Sequence, residues 1–229
     1  MRLPNAEQEA RPWRVHEITR DFRLEDVWAL PVQGGAGDFG RLLGLMTSFD
    51  PAHSSSRASR LLFGLRHLLG GVFGWDEEPG RGSDRGTRPT TLKERLPRDL
   101  RDNASGLDLG SEALGVHFAP LYRTDVEFAA ELSNQTMHGV IHLAWVDLGK
   151  GLFRGQMAIY VQPRGMFGEA YLALIRPFRY GVVYPALMRQ VEQAWGVGET
   201  ISGSGRAAPL RPSARARPRQ RPRGVLRRQ

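Results

Sequence analysis

DVEFAAELSNQTMHGVIHLAWVD, residues 125–147, alternates with a period of two on both sides of Asn134-Gln135. Side chains two apart along a strand share a face. Val126, Phe128, Ala130 and Leu132 therefore fall on one face, and Glu127, Ala129, Glu131 and Ser133 on the other. Beyond the turn, Met137, Gly139, Ile141, Leu143 and Trp145 fall together, as do Thr136, His138, Val140, His142 and Ala144. Asparagine tolerates positive φ, so Asn134-Gln135 predicts a two-residue hairpin turn. That register sets Glu131 opposite His138, Glu127 opposite His142 and Phe128 opposite Ile141. The two faces then agree without a slip, the condition under which a strand register is well specified. The stretch reads as an antiparallel hairpin with one apolar and one polar face.

The following strand repeats the pattern. Phe153, Met157, Ile159 and Val161 read as core; Arg154, Gln156 and Tyr160 read as the polar face. A five-residue loop places Gln156 beside His142 and Tyr160 beside His138. The outcome is a patch of Glu127, Glu131, His138, His142, Gln156 and Tyr160. Two carboxylates and two imidazoles are suitable metal ligands or acid/base groups. The same alternation is also the ordinary state of a sheet with one solvated face, where such pairs contribute about 0.2–1 kcal/mol each. The solvated ladder is the leading reading, and no catalytic residue or metal ligand is assigned.

Working outward, EDVWALPV (25–32) predicts a strand and FGRLLGLMTSF a helix capped by Asp38. RLLFGLRHLLGGVFGW (60–75) predicts a second helix, residues 76–91 a long polar loop, and LKERLPRDLRD (92–102) a short helical piece split by Pro97. The first of the three later strands covers roughly 118–133, with a bend near Arg123-Thr124. YLALIRPFRYGVVYPALMRQ (171–190) then carries a helical stripe: Tyr171, Ile175, Phe178 and Val182, continued one position round by Val183, Leu187 and Val191. Pro177 and Pro185 interrupt it, although an interior proline costs about 3 kcal/mol. Helices and strands are segregated along the chain, which argues α+β. The expected organisation is a flexible 1–11, one domain over 12–199 and a disordered Arg/Pro-rich tail over 200–229.

The totals set bounds. The chain has 229 residues, 41% of them hydrophobic, and no cysteine, so thiolate metal sites and cysteine nucleophiles are excluded. The opening MRLPNAEQEARPW lacks the apolar core of a secretion signal, and the most apolar run, 61–75, is too short to span a bilayer and contains Arg66 and His67. A cytoplasmic protein is expected. The formal charge of +8 and pI near 10.6 invite a nucleic-acid reading. Yet residues 202–229 hold nine arginines and no acid, which leaves the rest at −1. Nucleic acid is therefore disfavoured as a partner and could be met only through the tail, which has no aromatics to stack bases. Gly35-Ala36-Gly37-Asp38-Phe39-Gly40 matches GxGxxG, but no second strand ending in an acid follows at the spacing a dinucleotide site needs.

PLYRTDVEFAAELSNQTMHGVIHLAWV (120–146), LKERLPRDL (92–100) and the 171–190 helix together resemble a bacterial family, domain of unknown function 2867, from about Trp28 to Trp195. That family carries over no catalytic residues. The resemblance further implies the Bet v 1/START-like helix-grip fold, a curved antiparallel sheet wrapped around a long kinked C-terminal helix, with two helices between the N-terminal strand and the rest. A cavity between sheet and helix would be lined by Phe128, Met137, Ile141, Trp145, Met157, Tyr171, Ile175 and Phe178, or these eight would make a solid core. The leading functional expectation is a binder of a small apolar or amphipathic ligand, without catalysis and without a cofactor. Two alternatives stand beside it: an enzyme or metal protein using the Glu/His patch, and an interaction protein whose tail binds an acidic partner.

Overall fold

The computed structural model describes residues 1–47, 91–101, 118–133 and 137–203. Its frame is a six-stranded, wholly antiparallel open sheet in the order β1-β2-β6-β5-β4-β3. The strands are β1 (Arg2–Leu3), β2 (Arg23–Gly34), β3 (Ala119–Arg123), β4 (Glu127–Ser133), β5 (Met137–Gly149) and β6 (Leu152–Pro163). Because β2 lies beside β6, the first long strand and the last are neighbours, and the β3–β6 meander builds outward from them. This antiparallel arrangement offers no parallel βαβ unit around Gly35–Gly40. The Asp38 carboxylate instead accepts the Gly35 N–H at 2.7 Å and closes a short turn before α3 (Phe39–Thr47).

The expected bend near Arg123-Thr124 is a full reversal. Thr124 Oγ1 accepts the N–H groups of Val126 and Glu127, and the chain turns back to pair β3 with β4. The turn expected at Asn134-Gln135 lies outside the described residues; the strands on either side pair as expected, but their register differs by two residues. Ser133 pairs with His138, Glu131 with Val140 and Glu127 with Ala144. The β5–β6 pairing is displaced likewise, so that Tyr160 stands opposite Val140 and Gln156 opposite Ala144. An even displacement leaves every residue on its expected face and changes only its partner. At the β5–β6 turn the five-residue loop is replaced by Lys150-Gly151, with φ of 56° and 77°, the left-handed pair of a tight hairpin turn.

One sheet face is covered by α3 and by the C-terminal helix. That helix runs as α5 (Gly165–Phe178), a π turn at Arg179–Val183, and α6 (Tyr184–Gly203). Here Leu30, Val32, Phe128, Leu143, Trp145 and Met157 of the sheet meet Phe39, Leu42 and Leu43 of α3 and Leu187, Val191 and Trp195 of α6. Two indole hydrogen bonds pin the layer: Trp145 Nε1 donates to Gly35 O at 2.8 Å, and Trp195 Nε1 to Gln33 O at 3.1 Å.

The other face is not solvated. Residues 5–22 lie across it with α1 (Asn5–Glu9) and α2 (Val15–Ile18), beside the short 3-10 turn Leu92–Arg95 and α4 (Arg98–Arg101). Val15, Ile18, Leu92, Leu96 and Leu100 bury Val27, Ala129, Val140 and Ala158 there. The first eleven residues, expected as a flexible arm, therefore hold an edge strand and a helix, because the sheet's second face needs a cover. Three layers result: strap, sheet and helices. The second expected helix (60–75), nearly all of the polar loop and the tail beyond residue 203 lie outside the described residues. Among those described, no helix is long and apolar enough to cross a membrane.

Candidate functional site

The six patch residues are brought together by the sheet, but beneath the strap. Glu127, Glu131, His138, His142, Gln156 and Tyr160 are all at most 5% exposed, so the solvated ladder expected from alternation is corrected to a buried network. Alternation reports that a face is polar, and the strap decides that it is covered. Glu127 accepts from His142 Nε2 at 3.1 Å, from the Tyr122 hydroxyl at 3.0 Å and from the Arg14 N–H at 3.0 Å. His142 Nδ1 takes an N–H of Gln8 at 3.0 Å, which fixes the Nε2–H tautomer. Gln8 Nε2 also donates to the Tyr160 hydroxyl at 2.9 Å, and its carbonyl accepts from Gln156 Nε2 at 2.7 Å.

Glu131 forms a second node. It accepts from His138 Nε2 at 2.9 Å, from the Thr91 hydroxyl at 2.5 Å and from the Leu92 N–H at 2.9 Å. Burial alone would raise this carboxyl's pKa, but the three donors outweigh it and hold the group below the ordinary carboxylate range. Both carboxylates are thus filled by protein donors. The two His–Glu pairs form across diagonal positions on adjacent strands, which is why the two-residue register difference did not separate them. Among the described residues, no three His, Asp or Glu side chains are placed to share a metal ion.

A different polar cluster lies on the helix-covered face, and sequence reasoning missed it. A bulge in β2 offsets Leu24 from Asp26 against β6 and turns both Glu25 and Asp26 toward the C-terminal helix. Asp26 is fully buried, yet it is contacted by the Arg179 guanidinium, by the Tyr180 hydroxyl at 2.5 Å and by the Tyr184 hydroxyl at 3.0 Å. Glu25 lies 3.9 Å from both Arg176 and Arg179 and 3.1 Å from Arg23. Burial, and then the Asp26 carboxylate, push the Tyr180 hydroxyl above its ordinary range, so it stays a proton donor. Trp28, two residues along the same strand face, packs on Tyr184 with ring centroids 4.6 Å apart and on Tyr180 at 6.3 Å. The signal in the sequence was polar Arg179 and Tyr180 interrupting an apolar stripe, together with an acid inside an apolar strand.

Seven of the eight cavity candidates divide between two clusters on the helix-covered side. Phe128, Trp145 and Met157 are buried under α6 and α3, with Ile141 packed against them. Met137, Tyr171 and Ile175 belong to a second cluster with Val161 and Leu172 beneath α5. Phe178 is half-buried at the end of α5, immediately before the π turn.

These features define a class: an α+β domain whose antiparallel sheet is strapped on one face and crossed by a broken C-terminal helix on the other. The chain belongs to the protein of unknown function family DUF2867, whose model matches residues 18–186. No curated protein and no solved structure matches it.

Proposed function

We propose that this protein is a non-catalytic binder of a small apolar or amphipathic ligand, held between the sheet and the C-terminal helix in the manner of a helix-grip domain. The observation that carries this reading is the π turn that breaks the helix and its buried face. Tyr171 and Leu172 are buried before it, and Tyr184, Leu187 and Val191 after it, whereas the residues of Arg179–Val183 are partly or wholly exposed, the Arg179 guanidinium reaching inward to Asp26. π turns within α-helices are frequent at functional sites, because one inserted residue opens the packing locally. Here Tyr180 of the π turn packs on Trp28, and seven of the eight candidates lie in the two apolar clusters on this side of the sheet. Ligand sites have this composition, an apolar lining with a few convergent polar groups. The reading keeps the cytoplasmic location expected from the sequence.

Native mass spectrometry of the freshly purified full chain tests it. A non-covalent mass increment of a few hundred daltons, released on denaturation and extractable into organic solvent, is the expected result. A bare chain that also fails to bind medium-chain amphiphiles at millimolar concentration would sink the reading. A retained metal would transfer the function to the Glu/His network.

A further inference from the structure

We infer that the site takes a ligand whose head is neutral and hydrogen-bond-accepting, such as a ketone, ester or amide carbonyl, recognised by Trp28 Nε1–H and Arg179 Nε–H. The inference rests on the binding reading above and specifies its ligand. Both donors are buried and have no hydrogen-bond partner among the described residues. Both belong to one cluster: Trp28 packs on Tyr180 and Tyr184, and the Arg179 guanidinium lies 5.9 and 5.7 Å from the same two rings. A buried donor left unpaired costs as much as a lost hydrogen bond, and two beside one aromatic floor call for an acceptor.

The charges decide what kind of acceptor. In the buried part, two carboxylates, Asp26 and Glu25, face the single guanidinium of Arg179, which is already committed to Asp26. Arg2, Arg23 and Arg176 are about half exposed, so solvent screens them. An anionic head would enter beside two acids and lose its hydration without gaining a free cation. A cationic head finds N–H donors where it needs acceptors, and Arg2 already stands 4.8 Å over the Tyr180 ring. A neutral carbonyl accepts from these donors and adds no charge.

Calorimetric titration of the full-length protein at pH 8 with octan-2-one and, separately, with octanoate tests this. The two probes share chain length and differ in head charge. Octan-2-one is expected to bind, and octanoate roughly tenfold or more weakly. Trp28→Phe keeps an aromatic ring and removes only the donor. It should weaken octan-2-one roughly three- to tenfold while its melting temperature confirms folding. Octanoate binding as tightly as the ketone, or unchanged ketone affinity in Trp28→Phe, overturns the inference while leaving a binding protein. Binding of neither probe overturns the binding reading and this inference with it.

Discussion

Asp26 is the residue on which the helix side of the molecule turns. It is a fully buried carboxylate, and its stability depends on Arg179, Tyr180 and Tyr184 reaching it together. Had Arg179 reached solvent from the helix, as its place in the sequence allows, its loss would be mild. Its ion pair reverses that expectation. Arg179→Ala should destabilise the protein by about 3 kcal/mol in urea denaturation, because it strands a buried charge. A loss below about 1 kcal/mol would place Asp26 in water. The histidines on the opposite face are decided in the same way. His138→Ala/His142→Ala, which would cost little for exposed pairs, should cost about 2–4 kcal/mol, since each change removes a donor from a buried carboxylate. The residue types of both clusters were visible in the sequence. Burial was not, because it depends on segments that arrive from more than a hundred residues away.

At the scale of the element, the C-terminal helix explains its own prolines. The apolar stripe in the sequence slips by one position between Val182 and Val183, and a π turn is a one-residue insertion into an α-helix. The turn falls at Arg179–Val183, where the Tyr184 N–H reaches back five residues to the Arg179 carbonyl. Pro177 stands inside α5 two residues before it, and Pro185 in the first turn of α6, so the two prolines flank the turn. The slip was therefore legible, although its conformational meaning was not. Two glycines separate local from packing constraints. A Cβ at Gly181 would meet nothing within 4 Å, so Gly181→Ala should raise stability by about 0.4–1 kcal/mol through the unfolded chain. A Cβ at Gly155 would stand 2.6 Å from Val32 Cγ2 and 3.1 Å from Leu42 Cδ2. Gly155→Ala should cost about 1–3 kcal/mol by forcing α3 off the sheet. Paired thermal melts check both signs, and equal effects would show that α3 is not seated on β6.

Across the whole molecule, the strap makes the fold sensitive to acid. Burial, and then the nearby His142, hold the His16 imidazole below its ordinary value of 6.5. The folded state therefore resists protonation, and the stability associated with this group is complete above pH 6.5 and lost as pH falls from there through the folded value. Glu131, lowered from 4.5, adds a second loss below that pH for the same thermodynamic reason. The melting temperature should accordingly fall in two stages between pH 7 and pH 3. His16→Asn should flatten the upper stage and leave the lower one, and an unchanged upper stage would remove His16 from the account. What the sequence by itself determined was local: strands β2, β5 and β6, the two faces of the hairpin, the α+β order and the slip in the last helix. These follow from periodicities of two and 3.6 within continuous segments, and a two-residue register difference left the faces intact because it was even. Only the tertiary structure decided which polar residues are buried and who their partners are. Gln8 meeting His142 and Tyr160, Arg14 meeting Glu127, and Asp26 meeting Arg179 are encounters between distant segments. No periodicity encodes them, because the energy that selects them comes from excluding water from surfaces that exist only once the layers have closed.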